Sequence, residues 1–300
     1  MPFLQPPTWS DADLKASRDR AEALFTERRR EEGPRAFEAM YLSLRPTVAD
    51  LFERSDDLRS LNASIFESNP DAWQVSRYVT GPPISQEDLW TLVGGPKFKR
   101  VPAEFAEATA DAIRVVIDPI RFPWIAQHRS ATNEERERAI MATALLWAAQ
   151  QVGTVRRGEA SMRQELQTAS ALSDAGMDFD PARSKVQFID ELARGTYSRE
   201  RVIAGSKCDV PARLRDGRLF TIECKVSNGP KNGWKRLNRE VGGKAVTWRS
   251  AFGSNLVAAV VLAGVFDLSA LKGARDQGVT IFWDHELEPL TDFARRALPS

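Results

Sequence analysis

Between residues 220 and 227 the chain alternates without a break: Phe220, Ile222, Cys224 and Val226 are apolar, while Thr221, Glu223, Lys225 and Ser227 are polar. Side chains two apart share a face of an extended strand. The segment therefore predicts a strand with one face in a core and an acid and a base, Glu223 and Lys225, side by side on the other. The preceding segment has the same period, with Cys208, Val210, Ala212 and Leu214 apolar and Lys207, Asp209 and Arg213 polar. Asp216-Gly217 lies between the two and supplies a turn, so the pair reads as a hairpin.

The register follows from matching the apolar faces, because a slip of one residue sends a whole face to the wrong side. A two-residue turn at Asp216-Gly217 mismatches them. A three-residue loop, Arg215-Asp216-Gly217 with Gly217 left-handed, matches them and sets Asp209 opposite Glu223 and Cys208 opposite Cys224. Like charges facing each other across a sheet destabilise it unless something compensates. A divalent cation is one compensation; a solvated face screened by neighbouring lysines and arginines is the other. Mg²⁺ prefers hard oxygen ligands and keeps several waters, so Asp209, Glu223 and the backbone carbonyl of Cys224 would suffice to hold it. Such an ion lowers the pKa of a bound water and neutralises charge on a phosphodiester. Lys225, a fixed cation beside the same phosphate, would stabilise the transition state and orient the attacking water. With a metal in place the reaction would be in-line hydrolysis, for which no covalent intermediate is required.

A chain of 300 residues with 42% apolar content can bury one large core or two modest ones. No apolar run is long enough to cross a bilayer and the start lacks a signal-peptide pattern. Two cysteines are too few for a disulfide framework, and reduced thiols filling a core in the cytoplasm are the expectation. The formal net charge of +1 conceals an asymmetry: residues 194–249 carry 14 Lys and Arg against 5 Asp and Glu. A basic surface around the paired acids suits a polyanionic substrate.

Elsewhere the pattern is mostly helical. One helix is expected from Ser10 to Gly33-Pro34, and a second from Arg35 towards Ser55 with a kink or break at Pro46. Residues 67–100 read as loops around short elements, and Trp9, Trp73, Trp90 and Trp124 as packing anchors. A strong helix should open at Thr132 or Asn133, with Glu135 completing a capping box, and close at residues 156–159. A further helix runs from about Ala160 to Ala175, with Glu165 beside its apolar face, and another between Asp180-Pro181 and Gly195. After the hairpin, residues 232–252 look helical, weakened by Gly242-Gly243. Lys231, Lys235 and Arg239 form a stripe there, with Arg236 alongside. These side chains would meet phosphates or base edges, or form an ordinary solvated face. Residues 256–266 and 279–283 read as buried strands, and a terminal helix follows Asp284, giving a mixed sheet between helices. His128 and His285 lack partners at metal-ligand spacing, which argues against zinc. No phosphate-binding glycine loop is present, which argues against use of ATP.

Asp209 followed by Glu223-Cys224-Lys225 resembles the metal-binding motif of the PD-(D/E)xK nuclease superfamily. The longer set, continuing through Val226-Ser227-Asn228, Lys235-Arg236-Leu237-Asn238, Lys244-Ala245-Val246-Thr247-Trp248 and Gly278-Val279-Thr280-Ile281-Phe282-Trp283, is similar to the XamI-type restriction endonucleases over roughly residues 150 to 290. One departure is Cys208 in place of a proline before Asp209. The resemblance implies an α/β fold, a PD-(D/E)xK-like core over residues 131–300 behind a mostly helical region over residues 1–130 that serves dimerisation or DNA clamping. It implies a type II restriction endonuclease that cuts double-stranded DNA at a short specific site with Mg²⁺, for which Mn²⁺ can substitute. Asp209, Glu223 and Lys225 would be catalytic. Asp209, Glu223, the Cys224 carbonyl and Glu165 would face the metal. Asn228, Lys231, Lys235, Arg236, Asn238, Arg239 and Lys244 would face DNA. A palindromic target favours a homodimer, and a cognate DNA methyltransferase is expected in the same system. Two other readings share the scaffold: a nuclease of repair, recombination or mobile elements, and a DNA-binding protein without catalysis.

Overall fold

The computed structural model describes residues 3–299. The chain divides into two compact units, Met1–Glu31 with Arg156–Ser300, and Glu32–Val155. The first helix, α1 (Asp11–Arg54), runs without interruption through Pro34 and Pro46, where the sequence predicts an end and a kink. Both prolines are exposed. Water can serve the carbonyls they leave unpaired on that side, which removes much of the penalty.

The unit Glu32–Val155 is helical. After the end of α1 come α2 (Ala63–Ser68), α3 (Trp73–Ser76), α4 (Gln86–Val93), α5 (Ala106–Val115) and α6 (Pro123–Ala126). Its core gathers Phe52, Phe66, Phe122, Trp124 and Trp147. Trp73 and Trp124 are buried, and their indole N–H groups donate to the carbonyls of Lys99 at 3.1 Å and Asp57 at 2.8 Å. They anchor packing, as expected.

The helix α7 (Asn133–Asp174) starts on the expected capping box: Thr132 N–H donates to Glu135 Oε2 at 2.8 Å, and Glu135 N–H to Thr132 Oγ1 at 3.2 Å. It does not close at residues 156–159 but continues to Asp174 as one helix. Gly158 costs only about 1 kcal/mol inside a helix, too little to stop one that packs on both sides of it.

Among the described residues eight strands follow: β1 (Asp178–Phe179), β2 (Thr196–Tyr197), β3 (Arg201–Ile203), β4 (Ser206–Cys208), β5 (Val210–Arg213), β6 (Leu219–Asn228), β7 (Leu256–Val265) and β8 (Thr280–Trp283). Six form one mixed sheet in the order β1-β2-β5-β6-β7-β8, and β3 pairs with β4 in a separate hairpin. The strands β6, β7 and β8 are parallel, and β5 lies antiparallel to β6. Between β6 and β7 come α8 (Pro230–Lys235), a π-helical turn (Arg236–Val241) and α9 (Gly242–Phe252); α10 (Leu268–Asp276) joins β7 to β8, and α11 (Glu288–Arg296) follows. One face of the sheet packs Phe220, Ile222 and Cys224 against Leu172 of α7 and Phe293 of α11. The other packs Val260, Leu262 and Trp283 against Leu14 of α1, Val241, Ala245 of α9 and Leu271 of α10. This is the mixed sheet between helices that the sequence predicted. The helix expected after Asp180-Pro181 is absent, and a loop with a short 3₁₀ turn (Ile189–Glu191) takes its place. Asp180 accepts from Ala182 N–H at 2.9 Å and pairs with Arg201 at 3.1 Å, so its carboxylate closes a turn instead of capping a helix.

Candidate active site

The hairpin has the expected register. Val210 faces Ile222 and Arg213 faces Leu219. The loop closes where Leu214 and Arg218 bond across it, at 2.9 Å, with Gly217 left-handed at φ 98°. The strand before it is not continuous, however. Asp209 forms a bend between β4, which pairs with β3, and β5, which pairs with β6. The bend breaks the alternation of side chains, so Cys208 turns to a cluster with Ile203, Leu219 and Trp248 while Cys224 stays on the opposite face. The expectation that Cys208 faces Cys224 is thereby corrected. Both are buried free thiols, and burial pushes both well above the ordinary thiol range.

The bend delivers Asp209 to the edge of β6. Its Oδ2 accepts from the Cys224 N–H at 2.8 Å and from Lys225 Nζ at 2.8 Å. Glu223 is completely buried. Its Oε2 pairs with Lys225 Nζ at 2.8 Å and with Lys244 Nζ, from α9, at 2.7 Å. Lys225 Nζ also donates to the Cys224 carbonyl at 3.2 Å. Three oxygens, from Asp209, Glu223 and the Cys224 main chain, thus converge on one ammonium group. Burial disfavours the charge on Lys225, but Glu223 and Asp209 outweigh it and hold the amine above the ordinary lysine range. The compensation that facing acids require is supplied here by Lys225 and Lys244.

Glu165, on α7, is near enough to Asp209 to feel its charge. Burial raises its pKa, and the charge of Asp209 raises it further, while Arg199, 3.3 Å away, works in the opposite direction. Among the described residues no set of three or more His, Cys, Asp or Glu side chains is placed to hold a metal ion. Two carboxylates and a main-chain carbonyl are what the hairpin itself gathers. Glu223 Oε1 is buried there without a hydrogen-bond partner, as is Thr221 Oγ1 on the same strand.

The residues expected to face DNA divide into two groups. Asn228, Lys231, Lys235 and Arg239 are exposed, and Arg236 and Asn238 are half-buried, along the end of β6, α8 and the π-helical turn. The amide of Asn238 donates to the Trp234 carbonyl at 3.1 Å, and the Arg239 guanidinium lies 6.0 Å from the Trp234 ring. Lys244 stands apart from them, on Glu223. Two neighbours escape the sequence reading. Arg199 pairs with Glu165 from 34 residues away, and no local spacing could reveal that pairing. Trp234 is an exposed tryptophan among basic side chains, a signal that the sequence does carry.

A six-stranded mixed sheet flanked by helices, with an acid–lysine cluster on a central strand, is a restriction-endonuclease-like core. The chain belongs to the XamI restriction endonuclease family, whose sequence profile matches residues 56–283. It is 32% identical over 258 residues to the type II restriction enzyme XamI of Xanthomonas campestris pv. amaranthicola, covering 83% of this chain and 93% of that protein. No solved structure matches the chain. No helix among the described residues is long and apolar enough to cross a membrane.

Proposed function

We propose that this protein is a type II restriction endonuclease that hydrolyses phosphodiester bonds of double-stranded DNA at a short specific site, in the cytoplasm, using Mg²⁺ or Mn²⁺. The observation that carries the reading is the convergence of Asp209 Oδ2, Glu223 Oε2 and the Cys224 carbonyl on a single cationic point, now taken by Lys225 Nζ. The residues fit a magnesium ion: all three donors are hard oxygens, and Glu223 Oε1 is a buried acceptor with nothing to accept from. When bound, Mg²⁺ supplies positive charge at the scissile phosphate and acidity to the water that attacks it. Asp209, Glu223 and the Cys224 carbonyl would hold it, with Glu165 as a further carboxylate beside Asp209.

Lys225 would loosen its hold on the carboxylates and place its ammonium against a phosphate oxygen, where negative charge grows in the transition state. The apolar packing beneath β6 fixes where that ammonium can reach. The exposed bases of α8 and the π-helical turn would bind phosphates on either side of the cut. The helical region 1–130 would serve as a clamp or dimer surface, and a DNA methyltransferase with the same specificity would protect the host.

Incubation with Mg²⁺ and plasmid DNA should yield discrete fragments. Intact plasmid, or a smear without defined ends, would overturn the reading. Glu223→Ala and Lys225→Ala should each abolish cutting while largely sparing DNA binding in a gel-shift assay; a variant that still cuts removes that residue from the catalytic set.

A further inference from the structure

Glu223 is held by two ammonium groups where one would neutralise it. Lys225 and Lys244 both contact Oε2, at 2.8 and 2.7 Å, while Oε1 is left without a partner. The two lysines are not equivalent. Lys225 also holds Asp209 Oδ2 at 2.8 Å and the Cys224 carbonyl at 3.2 Å, and its side chain is 9% exposed. Among the described residues Lys244 has Glu223 as its one ion-pair partner, and its side chain is 25% exposed, so its path to water is open. It stands on α9 just beyond the π-helical turn, a kind of helix irregularity that recurs at functional sites.

Charge counting separates the lysines further. Asp209 and Glu223 carry two negative charges, and the two lysines cancel them. A divalent cation added to that set would leave two uncompensated positive charges, at a carboxylate with no solvent exposure, which is costly. Withdrawing Lys244 into water leaves one, and a phosphodiester supplies one negative charge.

We propose that Lys244 is a resident counter-cation of the active site: it occupies Glu223 until a divalent metal ion displaces it into solvent, and so sets the concentration at which the metal binds. The proposal rests on the metal-dependent reading above. Lys244 is on this account a positioning residue that acts through Glu223.

The test is Mn²⁺ binding to the full-length protein without DNA, followed by the electron paramagnetic resonance signal of the free ion. Lys244→Met should bind Mn²⁺ about tenfold tighter than the wild type, the low end of what one adjacent charge does to the binding of another cation. Lys244→Arg, which keeps the charge, should stay near wild type. Melting curves give a second readout: the rise in Tm on adding Mn²⁺ should be larger for Lys244→Met. Glu223→Gln should lose the ion. Equal or weaker Mn²⁺ binding by Lys244→Met, in a protein whose binding Glu223→Gln abolishes, would overturn the role of Lys244 and leave the metal reading standing. Absence of Mn²⁺ binding throughout, or binding that Glu223→Gln does not touch, would overturn both. Should Lys244→Met fail to fold, Lys244→Gln removes the charge while keeping a donor for Oε2, and the same outcomes apply.

Discussion

Glu165 shows how a single half-buried carboxylate can weaken a fold. Burial and the neighbouring charge of Asp209 raise its pKa in the folded protein, with only partial relief from Arg199. A carboxyl whose folded pKa lies above its unfolded value contributes stability in full below the unfolded value, about 4.3, and loses it as the pH rises through the folded one. At neutral pH the ionised form therefore opposes folding. Glu165→Gln should raise Tm at pH 7, and the gain should close when melting is repeated below pH ~4, where the acid is protonated in both states. A variant no more stable than wild type at pH 7 would show that Arg199 already compensates the charge.

Among the elements, β6 and β7 pair over ten residues, and their far end depends on Gly264. Gly264 has φ 91°, and a Cβ there would lie well inside van der Waals distance of the Ser227 carbonyl oxygen. Gly264→Ala should cost on the order of 2 kcal/mol in urea unfolding, since overpacking and a disfavoured backbone act together. It should also impair cutting, because the displaced end of β6 carries Asn228 into α8. The exposed bases beyond it make a separate prediction. Lys235→Ala or Arg239→Ala should weaken DNA binding and reduce the salt slope by about 0.9 for each phosphate left unneutralised. An unchanged slope would make them ordinary surface. Strand and register are legible in residues 210–222 because period-two alternation and a Gly217 turn are local signals. Helix lengths are not. Pro34, Pro46 and Gly158 are local stop signals, each outweighed by packing along a helix of more than forty residues. The bend at Asp209 also escapes, since nothing in an alternating segment says where a strand changes partners.

For the whole molecule the legible part is the meeting of charged side chains on the hairpin, and the partition of the chain is less so. Asp209, Glu223, Cys224 and Lys225 meet because they lie on one hairpin, so a short run of sequence carries most of the site. Glu165, Arg199 and Lys244 join it from elements distant in the chain, and their pairings depend on packing that spacing does not encode. A palindromic target would call for two copies related by a two-fold axis. Light scattering should accordingly return twice the chain mass, and the chain mass alone would require each copy to cut one strand by itself. The bend at Asp209 bears on how a silent version of the protein could be prepared. Its carboxylate accepts the Cys224 amide in place of a ladder partner, so it seams the sheet as well as holding Lys225. Alanine there would leave an interior amide unserved, whereas asparagine retains an oxygen for it. Slow hydrogen exchange at Cys224 in Asp209→Asn, and faster exchange in Asp209→Ala, would separate lost chemistry from a loosened seam.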